Sequence, residues 1–284
     1  MFIVGSETDM SAQPQRILIL CKTYPSPSAK HAETSCVAGM MEDGTLIRLF
    51  PVPFRLINDS QQFRKWQWIT ARVIKSKADH RPESHRIFVD TITCDPKPLS
   101  LQNQWQERRP WIDRLPIYSD FAELEAVRQT SRQTLALLRP SRILGLDITP
   151  AEKPDWTPEE LAKLIHLQEQ GELFDPTDKR SLRLLRKLPF DFHYRYACDT
   201  AEGVKEHRHK INDWEIGALY WKVREKHGEG WKLPFTAKLE QNLPAKDLMF
   251  LMGTMHRFPD RWLIVSLIYP PKQQPAKQLQ GSLF

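Results

Sequence analysis

The chain has 284 residues, 40% hydrophobic and 27% charged, with a net charge of +6, the make-up of a soluble globular protein with room for one large or two small cores. No apolar run approaches a membrane span, and the first residues lack the basic segment and apolar core of a signal peptide, which excludes a helical membrane protein and points to the cytoplasm. A pI near 9.1 favours an anionic partner without requiring one.

Residues 1–15 read as a flexible extension. Ile17 to Cys21 is a short apolar run, the pattern of a buried strand. Thr34–Met41 and Thr45–Val52, joined by Glu42-Asp43-Gly44, read as a hairpin. Gln67–Ser76 alternates apolar and polar, and Arg86–Thr93 repeats the pattern. Five short strands over 16–100 predict a small barrel or a strongly bent sheet. The loop Ala78 to Ser84 is so dense in charge that it is expected outside the core. Cys21 and Cys36 fall in strand patterns and read as small core residues. Cys94 and Cys198 lie far from them, and with no Cys-x-x-Cys pair the sequence gives neither a zinc ribbon nor a disulfide framework.

The stretch 101–188 reads as mainly helical. Ser119 is a good N-cap for a helix running to Leu138, before Pro140. Arg142–Ile148 interrupts it as a returning strand. Thr157-Pro158-Glu159-Glu160 marks another helix start, with a cap, a proline in the first turn and acids at the positive helix end. Lys179–Lys187 is basic and amphipathic, a helix over the core with a solvated face or one that touches phosphates. From 189 to 271 the text turns mixed α/β. Phe190, Phe192, Tyr194 and Tyr196 fall at every second position, so one face of a strand is aromatic and predicted to be buried. Asn212 or Asp213 caps a helix from Trp214 to Lys226, and Leu248–Met255 with Trp262–Tyr269 forms a closing hairpin. Residues 272–284 have the Lys, Gln, Pro and Ala composition of a disordered tail. The fold class is therefore α+β, with a small N-terminal β-barrel-like part, a helical middle and a C-terminal mixed α/β layer.

Three constellations offer chemistry. The first gathers Lys22, Tyr24, Lys30, Glu33, Arg48 and Arg55 from the first strands and their loops with Arg81 and Glu83 from the later charged loop. It reads as a ligand or nucleic-acid site, or more plainly as an ion-pair network framing the barrel. The second is His207-Arg208-His209-Lys210 with Asp213 and Glu215. Asp213, Glu215 and His209 are its catalytic candidates. Two carboxylates two apart at a helix start do not face each other, so capping by Asp213 is the plainer role. His193, Cys198, His207 and His209 match no common zinc spacing, and no metal or cofactor is assigned. The third, His256 and Arg257, reads as an exposed turn.

Lys30-x-x-Glu33 resembles the Lys-x-x-Glu signature of ASCH and PUA-like domains, which bind RNA or modified bases. The segments KTYPSPSAKHAET, IRLFPVPFR, RPES, NDWEIGALYW and MGTMHRFPDRWLIVSLIYPP resemble an uncharacterised bacterial and archaeal family, a resemblance that implies one globular unit and no mechanism. Gln280, Ser282, Leu283 and Phe284 resemble the bacterial sliding-clamp-binding pentapeptide, with Gly281 in place of its usual Leu. The expected function is a DNA-associated accessory protein of repair, replication or anti-phage defence, with the sliding clamp as a partner. A nuclease is the alternative, and a protein-interaction scaffold the second alternative.

Overall fold

The structure is a computed structural model and describes residues 12–25, 34–55, 57–162 and 186–273. Its first half is built on β1 (Gln13–Lys22), β2 (Ser35–Met41), β3 (Leu46–Val52), β4 (Trp68–Lys75) and β5 (Ser84–Ile87). They run in the order β1-β2-β3-β5-β4, and β4 pairs back onto β1 to close a barrel. Only β3 and β5 are parallel. This is the five-stranded Greek-key circuit of an OB barrel. β1 serves both its neighbours, pairing with β4 from Gln13 and with β2 as far as Lys22. Strand structure thus begins inside the expected N-terminal extension, because Gln13 to Gln15 have Val73 to Ala71 to pair with. The expected strand over Arg86–Thr93 is cut short: a 3-10 turn at Val89–Thr91 separates β5 from the two-residue β6 (Thr93–Cys94).

A turn, α1 (Gln102–Trp105), in which Asn103, Gln104 and Trp105 have positive φ, a short helix α2 (Arg109–Ile112) and β7 (Ile117–Tyr118) lead into the second half. The expected helix to Leu138 is shorter. α3 (Phe121–Ser131) is capped by Asp120, whose Oδ1 accepts from Ala122 N at 2.9 Å, and ends at Arg132 in the left-handed region (φ 60°). Leu135–Leu138 is instead β8, buried on both faces. A continuous apolar run fits a buried strand as well as a helix, and tertiary packing decides between them. β9 (Arg142–Pro150), β10 (Phe190–Thr200) and β11 (Gly203–Lys210) form an antiparallel sheet. β12 (Met249–Thr254) lies between β8 and β13 (Trp262–Ile268). A parallel bridge from Ile211 to Ile264 joins the two sheets. If β8 and β9, separated only by residues 139–141, are counted as one bent strand, this half repeats the first circuit, again with its third and fifth strands parallel. Helix α4 (Trp214–His227) falls between the third and fourth strands, followed by α5 (Lys232–Ala237). The whole is α+β and mostly β. Among the described residues no helix is long and apolar enough to cross a membrane.

The wall β8–β12–β13 is apolar on both sides because it belongs to two cores. Ala136, Leu138, Phe250, Met252 and Ile264 face the second barrel's interior with Phe192, Tyr194 and Tyr196, the predicted aromatic stripe. Leu135, Leu137, Met249, Leu251 and Val265 face the other way, against Leu18, Leu20, Ala38, Met40 and Leu46 on the outside of the first barrel. The outer face of strands 1 to 3 of the first barrel is thereby covered. Its own interior is filled by Ile17, Ile19, Val37, Ile47, Leu49 and Ile69.

Candidate nucleic-acid interface

Among the described residues, the first constellation does not converge on an open surface. Arg48, Arg81 and Glu83 are all less than a tenth exposed. The charged loop is at the core boundary, contrary to the sequence expectation, because the second half covers it and answers its charges. Glu83 accepts from Thr134 N, from Thr134 Oγ1 at 2.8 Å and from Leu135 N at 3.0 Å, all at the start of β8. Arg48 Nη2 donates to Thr134 O at 3.1 Å. Arg81 forks onto Asp79 and donates from Nη1 to Thr254 O at 2.7 Å. These three side chains fasten one barrel to the other.

Lys22 ends β1 half-buried, with its ammonium 3.5 Å from the centre of the Phe54 ring and donating to Phe63 O at 3.1 Å. Burial pulls its pKa down to about 8, against the attraction of Glu215 and Asp213. It borders a cleft of about 340 Å³ shared with Lys65, Trp214 and Glu215. Tyr24 packs closely against α4, where a Cβ on Gly217 would come within 2.3 Å of its ring, and its Oη takes the Trp221 Nε1 hydrogen at 3.0 Å. Arg55 is half-buried. Lys30 and Glu33, most of Lys179–Lys187, and Gln280 to Phe284 lie outside the described residues.

The acids of the second constellation are also structural. Asp213 is buried and caps α4 through Oδ1, which accepts from Glu215 N at 2.7 Å, while Oδ2 accepts from Leu267 N at 3.0 Å. Glu215 pairs with Lys65, whose ammonium also donates to Leu267 O at 2.8 Å. Burial pushes the Asp213 carboxyl up and Lys65 opposes it. His207 and His209 point inward, within 5.0 and 4.7 Å of the Phe121 ring on α3. Burial takes the His209 imidazole down to about 4, and its Nδ1 lies 2.9 Å from Tyr196 Oη. His193 sits on the opposite face of the sheet, so these histidines form no joint metal centre.

Strand alternation sends the other half of His207–Lys210 outward. Arg208 and Lys210 lie opposite Arg195 and His193 across β10–β11. Asp147 on β9 takes Arg195 Nε at 3.0 Å and Arg208 Nε at 2.7 Å, and Asp191 takes Lys210 at 2.7 Å. Gly145 lets the Arg195 guanidinium lie across β9, since a Cβ there would meet Nη2 at 2.8 Å. His193 Nδ1 is shielded from water with no hydrogen-bond partner among the described residues. Counted by strand order, this is the outer face of strands 2 and 3 of the second barrel, the face corresponding to the covered one in the first. Sequence reasoning singled out Arg208 and Lys210 within their run but missed Arg195, whose signal is the same alternation that marks the aromatic stripe.

No curated protein matches the chain. Among solved structures it is similar to a chain of "Structure and Conformational Change of a Replication Protein A Heterotrimer Bound to ssDNA", at 9% identity and a TM-score of 0.26, over 91% of this chain and 65% of that one. A TM-score that low leaves the strand order as the ground for the barrel fold. Residues 13–114 match the family model described as "Domain of unknown function (DUF8758)". Residues 120–284 match "Domain of unknown function (DUF8757)". The latter match spans more than half of the chain, and the protein therefore belongs to the DUF8757 family.

Proposed function

We propose that the protein is a nucleic-acid-binding accessory protein of DNA repair, replication or anti-phage defence, and that it holds a single strand along the outer face of β10 and β11. The observation that carries this reading is the contrast between the two barrels. OB barrels bind oligonucleotides on the face of strands 2 and 3 and on the loops around it. In the first barrel that face is covered; in the second it is exposed and presents Arg195, Arg208 and Lys210 side by side. Exposed ion pairs like those with Asp147 and Asp191 are worth about 0–1 kcal/mol, so a phosphate displaces the carboxylates at small cost. The β12–β13 loop is the second barrel's loop between strands 4 and 5. It adds Phe258, 47% exposed, with the Arg261 guanidinium 4.9 Å from its ring. An exposed ring beside a cation suits base stacking.

The test is anisotropy of a labelled oligothymidine titrated at several salt concentrations. Replacing both Arg208 and Lys210 with Ala is expected to weaken binding and lower the salt slope by about 1.4, since each phosphate contact on a single strand contributes about 0.7. Binding that is absent in the wild type, or unchanged in slope in the double variant, defeats the reading. Salt-independent behaviour without nucleic-acid binding would favour the scaffold, and metal-dependent cleavage the nuclease.

Recruitment to a sliding clamp is part of the same proposal and is supported by Gln280, Ser282, Leu283 and Phe284. Two adjacent apolar anchors fit a surface groove, and a modest affinity gains from simultaneous DNA contacts. The double substitution Leu283→Ala, Phe284→Ala is expected to abolish clamp binding in a titration while leaving oligothymidine affinity alone. Failure of the wild-type chain to bind the clamp would remove this part.

A further inference from the structure

The loops between strands 4 and 5 of the two barrels meet, and they bring together side chains far apart in the sequence. Asp79 and His80 come from the first barrel's loop, His256 from the second's. One ligand atom from each of the three lies within 4.8 Å of the other two. His256 Nε2 is 4.0 Å from Asp79 Oδ1, and the imidazoles of His80 and His256 are stacked at 5.4 Å with 29° between their planes. We propose that Asp79, His80 and His256 form a site for a divalent transition metal of the zinc type, which ties the two barrels together at these loops.

The surroundings are built for it. Arg81 fixes the carboxylate, with Nε donating to Oδ1 at 2.9 Å and Nη2 to Oδ2 at 2.6 Å. The same guanidinium donates from Nη1 to Thr254 O, at the end of the strand that leads into His256. One buried side chain therefore orients the carboxylate and anchors the strand that presents a histidine, as hydrogen-bonded partners behind metal ligands commonly do. Burial alone would raise the Asp79 pKa, but the hydrogen bonds from Arg81 outweigh it and hold the carboxyl well below the usual range, ready as an anionic ligand.

Two imidazoles and one carboxylate are a recurrent zinc donor set that leaves a position open for water. Hard cations such as magnesium or calcium prefer all-oxygen sites, so this donor set selects against them. Ligand atoms around tetrahedral zinc stand about 3.3 Å apart. Both histidines are exposed, so rotation of their side chains is the movement that would have to close the remaining gap. Arg81 shares the carboxylate's charge, which makes the site one of moderate affinity.

The experiment uses the full-length protein, stripped with chelator and titrated with Zn²⁺ by calorimetry and with Co²⁺ by absorption. The wild type is expected to take up one equivalent and to melt at a higher temperature with Zn²⁺ than without. His80→Ala and His256→Ala should each bind at least tenfold more weakly, and the double variant should lose stoichiometric binding. Their metal-free melting temperatures should match the wild type, because both histidines are exposed. The proposal is overturned if the wild type takes up neither ion stoichiometrically, or if the double variant binds as well as the wild type. It is equally overturned by a thiolate charge-transfer band in the Co²⁺ spectrum, which would assign the metal to the cysteines.

Discussion

Glu83→Ala is expected to destabilise the protein by about 3–5 kcal/mol, because it leaves several buried donors at the junction without their acceptor. The carboxylate accepts from two backbone amides, Thr134 N and Leu135 N, and also takes the Thr134 hydroxyl hydrogen. An orphaned buried donor costs about 1–3 kcal/mol. Arg48, which holds Thr134 from its carbonyl side, would also lose the carboxylate that shares this residue with it. Urea unfolding followed by fluorescence and circular dichroism measures the effect. Glu83→Gln should fall between the wild type and the alanine variant, because an amide keeps one acceptor but turns a donor towards other donors. A loss below about 1 kcal/mol for Glu83→Ala would mean that water takes over the bonds and that the junction is weaker than its geometry implies.

Asp213→Ala is expected to cost about 3 kcal/mol, well beyond the roughly 1 kcal/mol of an ordinary N-cap. The cap is only one of its tasks. Its other oxygen satisfies Leu267 N in β13, and its charge faces Lys65, whose side chain is only 8% exposed. Burial works against the Lys65 charge, and Glu215 and Asp213 together more than offset it. Without Asp213 the ammonium keeps Glu215 alone. Asp213→Asn retains an acceptor for the cap and should recover about half of the loss. Hydrogen exchange would place the damage: the first turn of α4 and the amide of Leu267 should lose protection together. If α4 alone loosens, Asp213 is a simple cap and the link to β13 is incidental.

What the sequence disclosed is what neighbours in the chain decide. The β2–β3 hairpin follows from alternation on either side of Asp43-Gly44, and the buried aromatic stripe of β10 from its period of two. The start of α4 follows from Asp213 ahead of an amphipathic run. Where the outcome depended on distant surface, reading failed. Charge in Ala78 to Ser84 looks solvated until Thr134 and Thr254 arrive to accept and donate. Leu135–Leu138 is apolar in a helix-rich stretch, and only two cores, one on each side, make it a strand. The basic face was half visible, since Arg208 and Lys210 stand in one run, but Arg195 joins them through cross-strand pairing. Asp79, His80 and His256 meet only because the two barrels pack with these loops together.

The shared wall has a consequence for how the chain is inherited and folded. The two family models divide the protein between residues 114 and 120, as if either part were a free-standing module. The packing says otherwise. Cut there, the N-terminal piece would present Leu18, Leu20, Met40 and Leu46 to water, and the C-terminal piece would present Leu135, Leu137, Met249 and Leu251. Each would carry an apolar patch of the kind that drives aggregation. Neither half is a portable unit that recombination can pass to another protein unaccompanied. The pair should travel through genomes as one gene or as two that are always expressed together, and should melt in a single transition.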